Sequence, residues 1–409
     1  MLKQTTVIKE QTTQAHSKIE LDYQSVMLEL AQNLIRKPSI TPSDQGCCDL
    51  IGERLEAIGF KLEFMNQNRV SNLWAKRGER HPVVVFAGHT DVVPPGQNAK
   101  WDTPAFIPVI KDDYLHGRGA SDMKGSLAAM VVAVEQFVFL YPEHQGAIGF
   151  MLTSDEEGIA VEGTKHIVDS LLARNEVIDC AIVGEPTTEK LLGDSIRIGR
   201  RGSINCKITL HGKQGHVGYP EQLINPIHKS SRLIHKLSSK RWDMPSRFFP
   251  STSCQLVKVH SESGAMNVTP ADLELWFNFR YSPRNSFSKI KAYVEKKITK
   301  YGLKADIEWD HEAAPYITKR GSLRKSVQSA IQKECGIKPK LTTGGGISDG
   351  RFIKQIAKQV IELGPSNKTI HQANERVSIK ELDRLRQLYF KILEELLQSK
   401  KAARPVELL

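Results

Sequence analysis

The chain has 409 residues, 40% of them hydrophobic and 25% charged, with 29 Gly and 19 Pro. Those values suit a globular protein of about two to three domains and exclude a disordered, collagen-like or disulfide-dense chain. The formal charge of +11 leaves nucleic acid, an anionic surface and an acidic small substrate open, because net charge alone does not choose a partner.

Met1 to about Leu21 is polar, reads as a flexible extension and lacks the apolar region of a secretory signal. From Tyr23 the spacing of Val26, Leu28, Leu30, Leu34 and Ile35 predicts a helix that ends near Pro38. Val83–Ala87 is a short apolar run closed by Gly88, the pattern of a buried strand. Ser126–Tyr141 reads as a helix stopped by Pro142. Glu135 and Gln136 interrupt its apolar stretch, which falls short of the roughly 18 residues a membrane span requires. A strand over Ala147–Thr153, a helix over Gly163–Ala173 and a strand over Cys180–Val183 follow. Buried strands alternating with helices predict an α/β layer structure with a mixed, largely parallel sheet flanked by helices.

The pattern changes after Gly202. Ser203–Leu210 alternates apolar and polar residues, as do Ser253–Val259 and Asp272–Arg280, with helices predicted over Pro226–Leu237 and Ser288–Tyr301. That β-α-β-β-α-β order predicts a small ferredoxin-like α+β domain over 204–315, inserted into a discontinuous α/β domain of 22–203 and 316–409. The insertion holds 17 Lys and Arg against 10 Asp and Glu, so the positive excess is concentrated there. No block of five or six consecutive cations, zinc-finger spacing or aromatic-basic signature accompanies it. The α/β pattern resumes with helices near 322–334 and 379–397 around a strand at Gln359–Ile361. Cys47, Cys48, Cys180, Cys206, Cys254 and Cys335 form no C-x-x-C and read as reduced thiols of a soluble, cytoplasmic protein.

The residues that could carry chemistry sit at the ends of predicted strands. His89 and Asp91 follow Val83–Ala87. Asp155-Glu156-Glu157 follows Ala147–Thr153, and Glu185 follows Cys180–Val183. Asp122 precedes a helix, and His371 comes just after the late strand. In open α/β sheets ligands bind beyond the carboxyl ends of the strands, so these groups should share one edge. Clustered acids cost free energy unless a cation compensates them. Histidine with carboxylates suits zinc or a related divalent metal, whereas all-oxygen ligation would suit Mg or Ca. The dinucleotide fingerprint, the phosphate loop and the G-x-S-x-G elbow are absent. Gly344-Gly345-Gly346, entering a helix, is either an anion-binding turn or only a tight connection.

Gly88-His-Thr-Asp-Val-Val-Pro94, Gly117-Arg-Gly-Ala-Ser-Asp-Met-Lys-Gly125, Thr153-Ser-Asp-Glu-Glu157 and Gly184-Glu-Pro186 resemble the di-zinc aminoacylase/carboxypeptidase family, over about residues 23–397. Arg200-Arg-Gly-Ser203, Gly215-His216, Thr343–Gly350 and Thr369-Ile-His371 sharpen that resemblance. They imply a zinc exopeptidase-like fold and a metal-dependent amide hydrolase that converts N-succinyl-LL-2,6-diaminopimelate to succinate and diaminopimelate, in lysine biosynthesis. The resemblance implies two Zn2+ per subunit, with Co2+ able to substitute at one site. Asp122 would bridge them, with His89 and Glu185 on one ion and Glu157 and His371 on the other. Glu156 would be the general base, and the Asp91 carboxylate would hold the far nitrogen of His89. The inserted domain would mediate homodimerisation, and His216 would stabilise the oxyanion in the partner subunit. Arg200, Ser203, Tyr219, Asn267, Arg280 and Gly346 would bind the tricarboxylate substrate, with neither nucleic acid nor membrane as a partner. Met266 and Ile347 depart from the pattern, standing where Asn and Thr are common. A related deacylase or carboxypeptidase, for instance one acting on N-acetylornithine, is the nearest alternative; a non-catalytic binding protein on this scaffold, or a basic nucleic-acid binder, is the alternative from another class.

Overall fold

A computed structural model describes residues 23–398; the expected extension over 1–21 and the end of the chain from 399 lie outside the described residues. The chain divides into two compact units. The first comprises the chain up to Ile198 with Thr318–Leu341 and the segment from Ser348 onward, and the second comprises Gly199–Ile317 with Thr342–Ile347. The second unit therefore takes in more chain than the expected 204–315, including the Gly344-Gly-Gly turn.

An eight-stranded sheet forms the first unit. Its spatial order is Lys61–Phe64, Asn72–Arg77, Ala147–Thr153, Val83–His89, Ile178–Val183, Ala357–Glu362, Ser195–Arg197 and Lys340–Thr342. The four strands at its centre, from Ala147–Thr153 to Ala357–Glu362, pair in parallel. Asn72–Arg77 joins antiparallel to Ala147–Thr153. Val83–His89 and Ala147–Thr153 are buried at every residue, which explains their continuous apolar runs: helices cover both faces of a parallel sheet. The expected α/β class, with a mixed and largely parallel sheet, is what forms. Lys61–Phe64 and Asn72–Arg77 escape the periodicity argument because Lys, Glu and Asn interrupt them and one is mostly exposed.

The helix Lys124–Leu140 is buried on nearly all sides up to Val138. It packs against Ile379–Leu397, where Phe137 meets Phe390 edge-on at 6.2 Å. The latter helix starts at Ser378, whose hydroxyl accepts the Glu381 N–H at 3.4 Å, the Ser-x-x-Glu arrangement of a capping box. Its buried residues Leu382, Leu385, Tyr389, Ile392 and Leu393 recur at helical spacing. Among the described residues no helix is long and apolar enough to cross a membrane.

The second unit is a four-stranded antiparallel sheet in the order Ser253–His260, Asp272–Tyr281, Gly202–His211, Lys304–Ala313. Numbered along the chain this order is 2-3-1-4, with helices Pro226–Ser238 and Phe287–Lys300 completing the ferredoxin-like β-α-β-β-α-β connection. Asn225 and Ser286 cap the two helices, accepting the N–H of Ile227 and of Lys289. Ile204, Ile208, Leu275 and Phe277 point inward from the alternating strands to meet Leu233, Leu237, Ile290 and Val294 of the helices.

Candidate metal centre

Strand register brings the first site residues to one level. His89 ends its strand directly beside Thr153, so Asp155, Glu156 and Glu157 emerge next to it. On the other side Ala87 is level with Val183, two residues before Glu185. The fourth contribution comes from the loop Gly117–Asp122, just ahead of the helix Lys124–Leu140. Met123, next to Asp122, lies over the strand ends. A Cβ on Gly88 would stand 2.3 Å from its Cε, and one on Gly184 2.5 Å. The glycines of the Gly-His and Gly-Glu-Pro motifs thus make room for the segment that delivers Asp122. His371 arrives on the segment after Ala357–Glu362, with φ of 60°, a left-handed conformation uncommon outside glycine.

Asp122 stands between the two histidines. Its Oδ1 is 3.3 Å from His89 Nε2 and its Oδ2 is 3.4 Å from His371 Nε2. Glu185 Oε1 is 3.8 Å from His89 Nε2, and Glu157 Oε1 is 2.9 Å from His371 Nε2. His89, Asp122 and Glu157 form one group of potential ligand atoms all within 4.8 Å of one another; His89, Glu156 and Glu185 form a second. The first trio mixes ligands expected on different ions, so proximity by itself does not partition them.

The two Asp122 distances fit metal ligation. Two ligand atoms at about 2.0–2.2 Å from a tetrahedral ion lie roughly 3.4 Å apart. His89 Nε2 and Asp122 Oδ1 are both buried, and neither has a hydrogen-bond partner among the described residues. Buried polar atoms are rarely left so. The mixed imidazole–carboxylate donor set is one that zinc and its neighbours accept.

Electrostatics points the same way. Burial works against charge on His89, but Asp122, Glu156 and Asp91 outweigh it and hold its pKa well above 6.5. Contacts with Asp122 and Glu157 push His371 up to about 10. Burial favours a neutral Asp122, yet the two histidines pull its pKa below the usual carboxylate range. Burial raises the Glu156 carboxyl well above its ordinary value, and the Glu185 charge adds to the effect.

The three consecutive acids after Ala147–Thr153 divide their work. Asp155 turns away and accepts the N–H groups of Ala160, Val161 and Glu162 at 3.0–3.1 Å, closing the loop, while Glu156 and Glu157 face the histidines. Asp91 differs from expectation in one respect. The group nearest His89 Nδ1 is its backbone carbonyl, at 2.9 Å, with the carboxylate at 3.6 Å. That carboxylate accepts the N–H groups of Glu156 and Glu157 at 3.4 and 3.1 Å. Asp91 therefore fixes the backbone of the glutamate pair as well as the imidazole.

The remaining sequence-predicted residues fall in the second unit, in three places. His216 lies on a short strand paired with Val268–Thr269. Its ring packs 5.6 Å from that of Tyr219, and Asn267 Nδ2 is 3.4 Å from its Nε2. Ser203 and Arg280 are opposite each other on paired strands. Arg200 Nη1 donates to the carbonyls of Gly344 and Gly346 at 3.0 and 3.3 Å. Met266 is fully exposed. Sequence reasoning missed Arg118 and Glu375, which are buried beneath the centre; a lone loop glutamate ordinarily reads as a solvated charge, and no local pattern joins residues so distant along the chain.

The sequence profile of peptidase family M20/M25/M40 matches residues 85–395, which include every residue of the centre. The chain belongs to this family. It is 49% identical over 373 residues to the succinyl-diaminopimelate desuccinylase of Bordetella avium, covering 91% of this chain and 99% of that relative. An M20 family metallo-carboxypeptidase from Sulfolobus solfataricus superposes with a TM-score of 0.76 at 16% identity, covering 90% of this chain and 98% of that one. A dinuclear metal-binding M20 family peptidase from Bacillus subtilis superposes with a TM-score of 0.70 at 14% identity, covering 91% and 97%. The fold of this M20 chain is thus that of the solved members.

Proposed function

We propose that this M20 chain is a metal-dependent amide hydrolase that converts N-succinyl-LL-2,6-diaminopimelate and water to LL-2,6-diaminopimelate and succinate, in lysine and diaminopimelate biosynthesis. The observation that carries the chemistry is the placement of Asp122 between His89 and His371 at the ends of parallel strands. Near-full-length similarity to a desuccinylase supports the substrate.

His89, Asp122 and Glu185 would hold one divalent ion, and Asp122, Glu157 and His371 the other; zinc is our assignment, with cobalt able to replace it at one site. Bound there, such ions supply Lewis acidity and lower the pKa of water toward 7. Glu156 removes a proton from the attacking water and returns it to the departing amine. Asp91 holds the Glu156 and Glu157 backbone in place for this. His216 donates to the oxyanion, serving the partner subunit's reaction in a dimer. Arg200 and Arg280, aided by Ser203, Tyr219, Asn267 and the Gly346 backbone, recognise substrate carboxylates; the planar guanidinium matches them in two-point pairing. The cationic excess of residues 204–315 suits a tricarboxylate.

The deciding experiment offers purified, zinc-loaded protein both N-succinyl-diaminopimelate and N-acetylornithine, with and without a chelator. The succinyl substrate should turn over faster, and chelation should abolish turnover. Faster cleavage of N-acetylornithine, or undiminished activity in chelator, would overturn the reading.

We further propose a cytoplasmic homodimer formed through the second unit. Six free cysteines suit a reducing compartment. Ser253–His260 is an edge strand with Val257 and Val259 more than half exposed, and an uncovered apolar edge is a template for pairing with a second copy. Light scattering should give the dimer mass, and Val257→Lys with Val259→Lys should shift it to monomer. A monomeric wild-type protein would end the dimer proposal.

A further inference from the structure

We infer that Glu375 is a positioning residue for the metal centre: its carboxylate clamps the loop that carries Asp122 onto the segment that carries His371. The inference rests on the metal-binding reading above and adds to it a residue that touches neither substrate nor the reacting atoms.

Glu375 is completely buried, and four donors converge on it. Oε2 accepts from Arg118 Nη1 at 2.7 Å and from the Gly119 N–H at 3.0 Å. Oε1 accepts from the Ser121 N–H at 2.9 Å and from the N–H of Asp122 itself at 3.0 Å. A carboxylate taking up successive backbone N–H groups fixes a loop much as a helix cap does, and charge-assisted hydrogen bonds of this kind are stronger than neutral ones. The clamp has a second grip through the main chain, since the Glu375 carbonyl accepts the Gly117 N–H at 3.0 Å. One residue beyond Glu375, the strand Arg376–Ser378 pairs with Tyr114–His116, which leads directly into Gly117–Asp122. Glu375 is also only four residues from His371. The two ligand-bearing segments are therefore joined at their bases, with Glu375 at the joint.

Arg118 extends the clamp to the segment that carries His89. It donates to the carbonyls of Gln372, at 3.2 Å, and Pro94, at 3.4 Å, and its guanidinium lies 5.2 Å from the centre of the Trp101 ring. Pro94 is five residues beyond His89. Burying this ion pair costs desolvation that pairing alone seldom recovers, so its presence beneath three ligand-bearing segments is better explained by placement of those segments than by gain in stability. Polar partners behind metal ligands commonly set metal affinity by about 10–100-fold.

Glu375→Gln tests the clamp. It preserves shape but turns an NH2 group toward two of the four donors, so the Asp122 loop is released while all five proposed ligands remain. Zinc affinity, read by competition with a chromophoric chelator on full-length protein, should fall about 10–100-fold, and the visible spectrum of the cobalt-loaded protein should change. Phe137→Leu is the comparison, because it loosens core packing against Phe390 and touches none of the residues of the clamp. Its melting temperature should drop while its zinc affinity stays that of wild type. Should Glu375→Gln fail to fold, Glu375→Asp keeps the ion pair but withdraws the carboxylate by one methylene, and the same loss of affinity is expected. Unchanged affinity in a folded Glu375 variant overturns the inference, as does an equal loss in Phe137→Leu, which would mark a general effect of stability. Wild-type protein that binds no zinc would overturn the metal-binding reading itself, and this inference with it.

Discussion

Glu156→Gln should leave two divalent ions bound per subunit while kcat for the succinyl amide falls about 10²–10⁴-fold, the usual contribution of a positioned general base. The expectation follows from the division of labour after Ala147–Thr153. Glu157 is 2.9 Å from His371, whereas Glu156 is outside that contact. A carboxylate in that position can accept a proton from water and return it. The amide replacement keeps the size and the backbone anchored by Asp91 but removes the proton acceptor. Metal analysis of the purified variant, with kcat and KM measured side by side, checks the expectation. Full activity would strip Glu156 of the base role; loss of metal would move it among the ligands.

The parts of this centre that could be read in advance share a physical origin. Parallel strands buried on both faces must be continuous apolar runs, so their carboxyl ends are visible as the points where Val83–Ala87, Ala147–Thr153 and Cys180–Val183 give way to His89, Glu156 and Glu185. Register then aligns those ends without further information. The parts that could not be read depend on main-chain groups or on distant partners. Asp91 meets His89 through its carbonyl, and any residue type offers a carbonyl. Glu375 takes its meaning from Arg118, more than 250 positions away. The strand Asn72–Arg77 has a buried Asn72, whose Nδ2 donates to the carbonyls of Met65 and Glu162 at 3.1 and 2.7 Å, so a polar residue occupies a position where periodicity predicts an apolar one.

The same logic makes Asp122 the residue whose loss should most affect metal binding. Among the described residues it is the only carboxylate placed within 3.4 Å of both histidines, offering a separate oxygen to each. Asp122→Ala should lower affinity for both ions by more than the about 10–100-fold typical of losing a partner behind a ligand, and activity should fall with metal content. A readout independent of turnover is thermal. A ligand that binds only the folded state stabilises it by RT ln(1 + [L]/Kd), about 4 kcal/mol at a thousandfold excess over Kd. Wild-type protein should therefore melt several degrees higher in zinc than in chelator, and Asp122→Ala should lose most of that difference. Asp122→Asn separates bridging from simple ligation. Its amide retains one carbonyl oxygen and presents NH2 on the other side, so it should keep one ion better than the other and fall between alanine and wild type. If Asn and Ala both retained two ions and the full zinc-dependent rise in melting temperature, the two oxygens of Asp122 could not be serving the two histidine sites, and the centre would have to be built around Glu156, Glu157 and Glu185 instead.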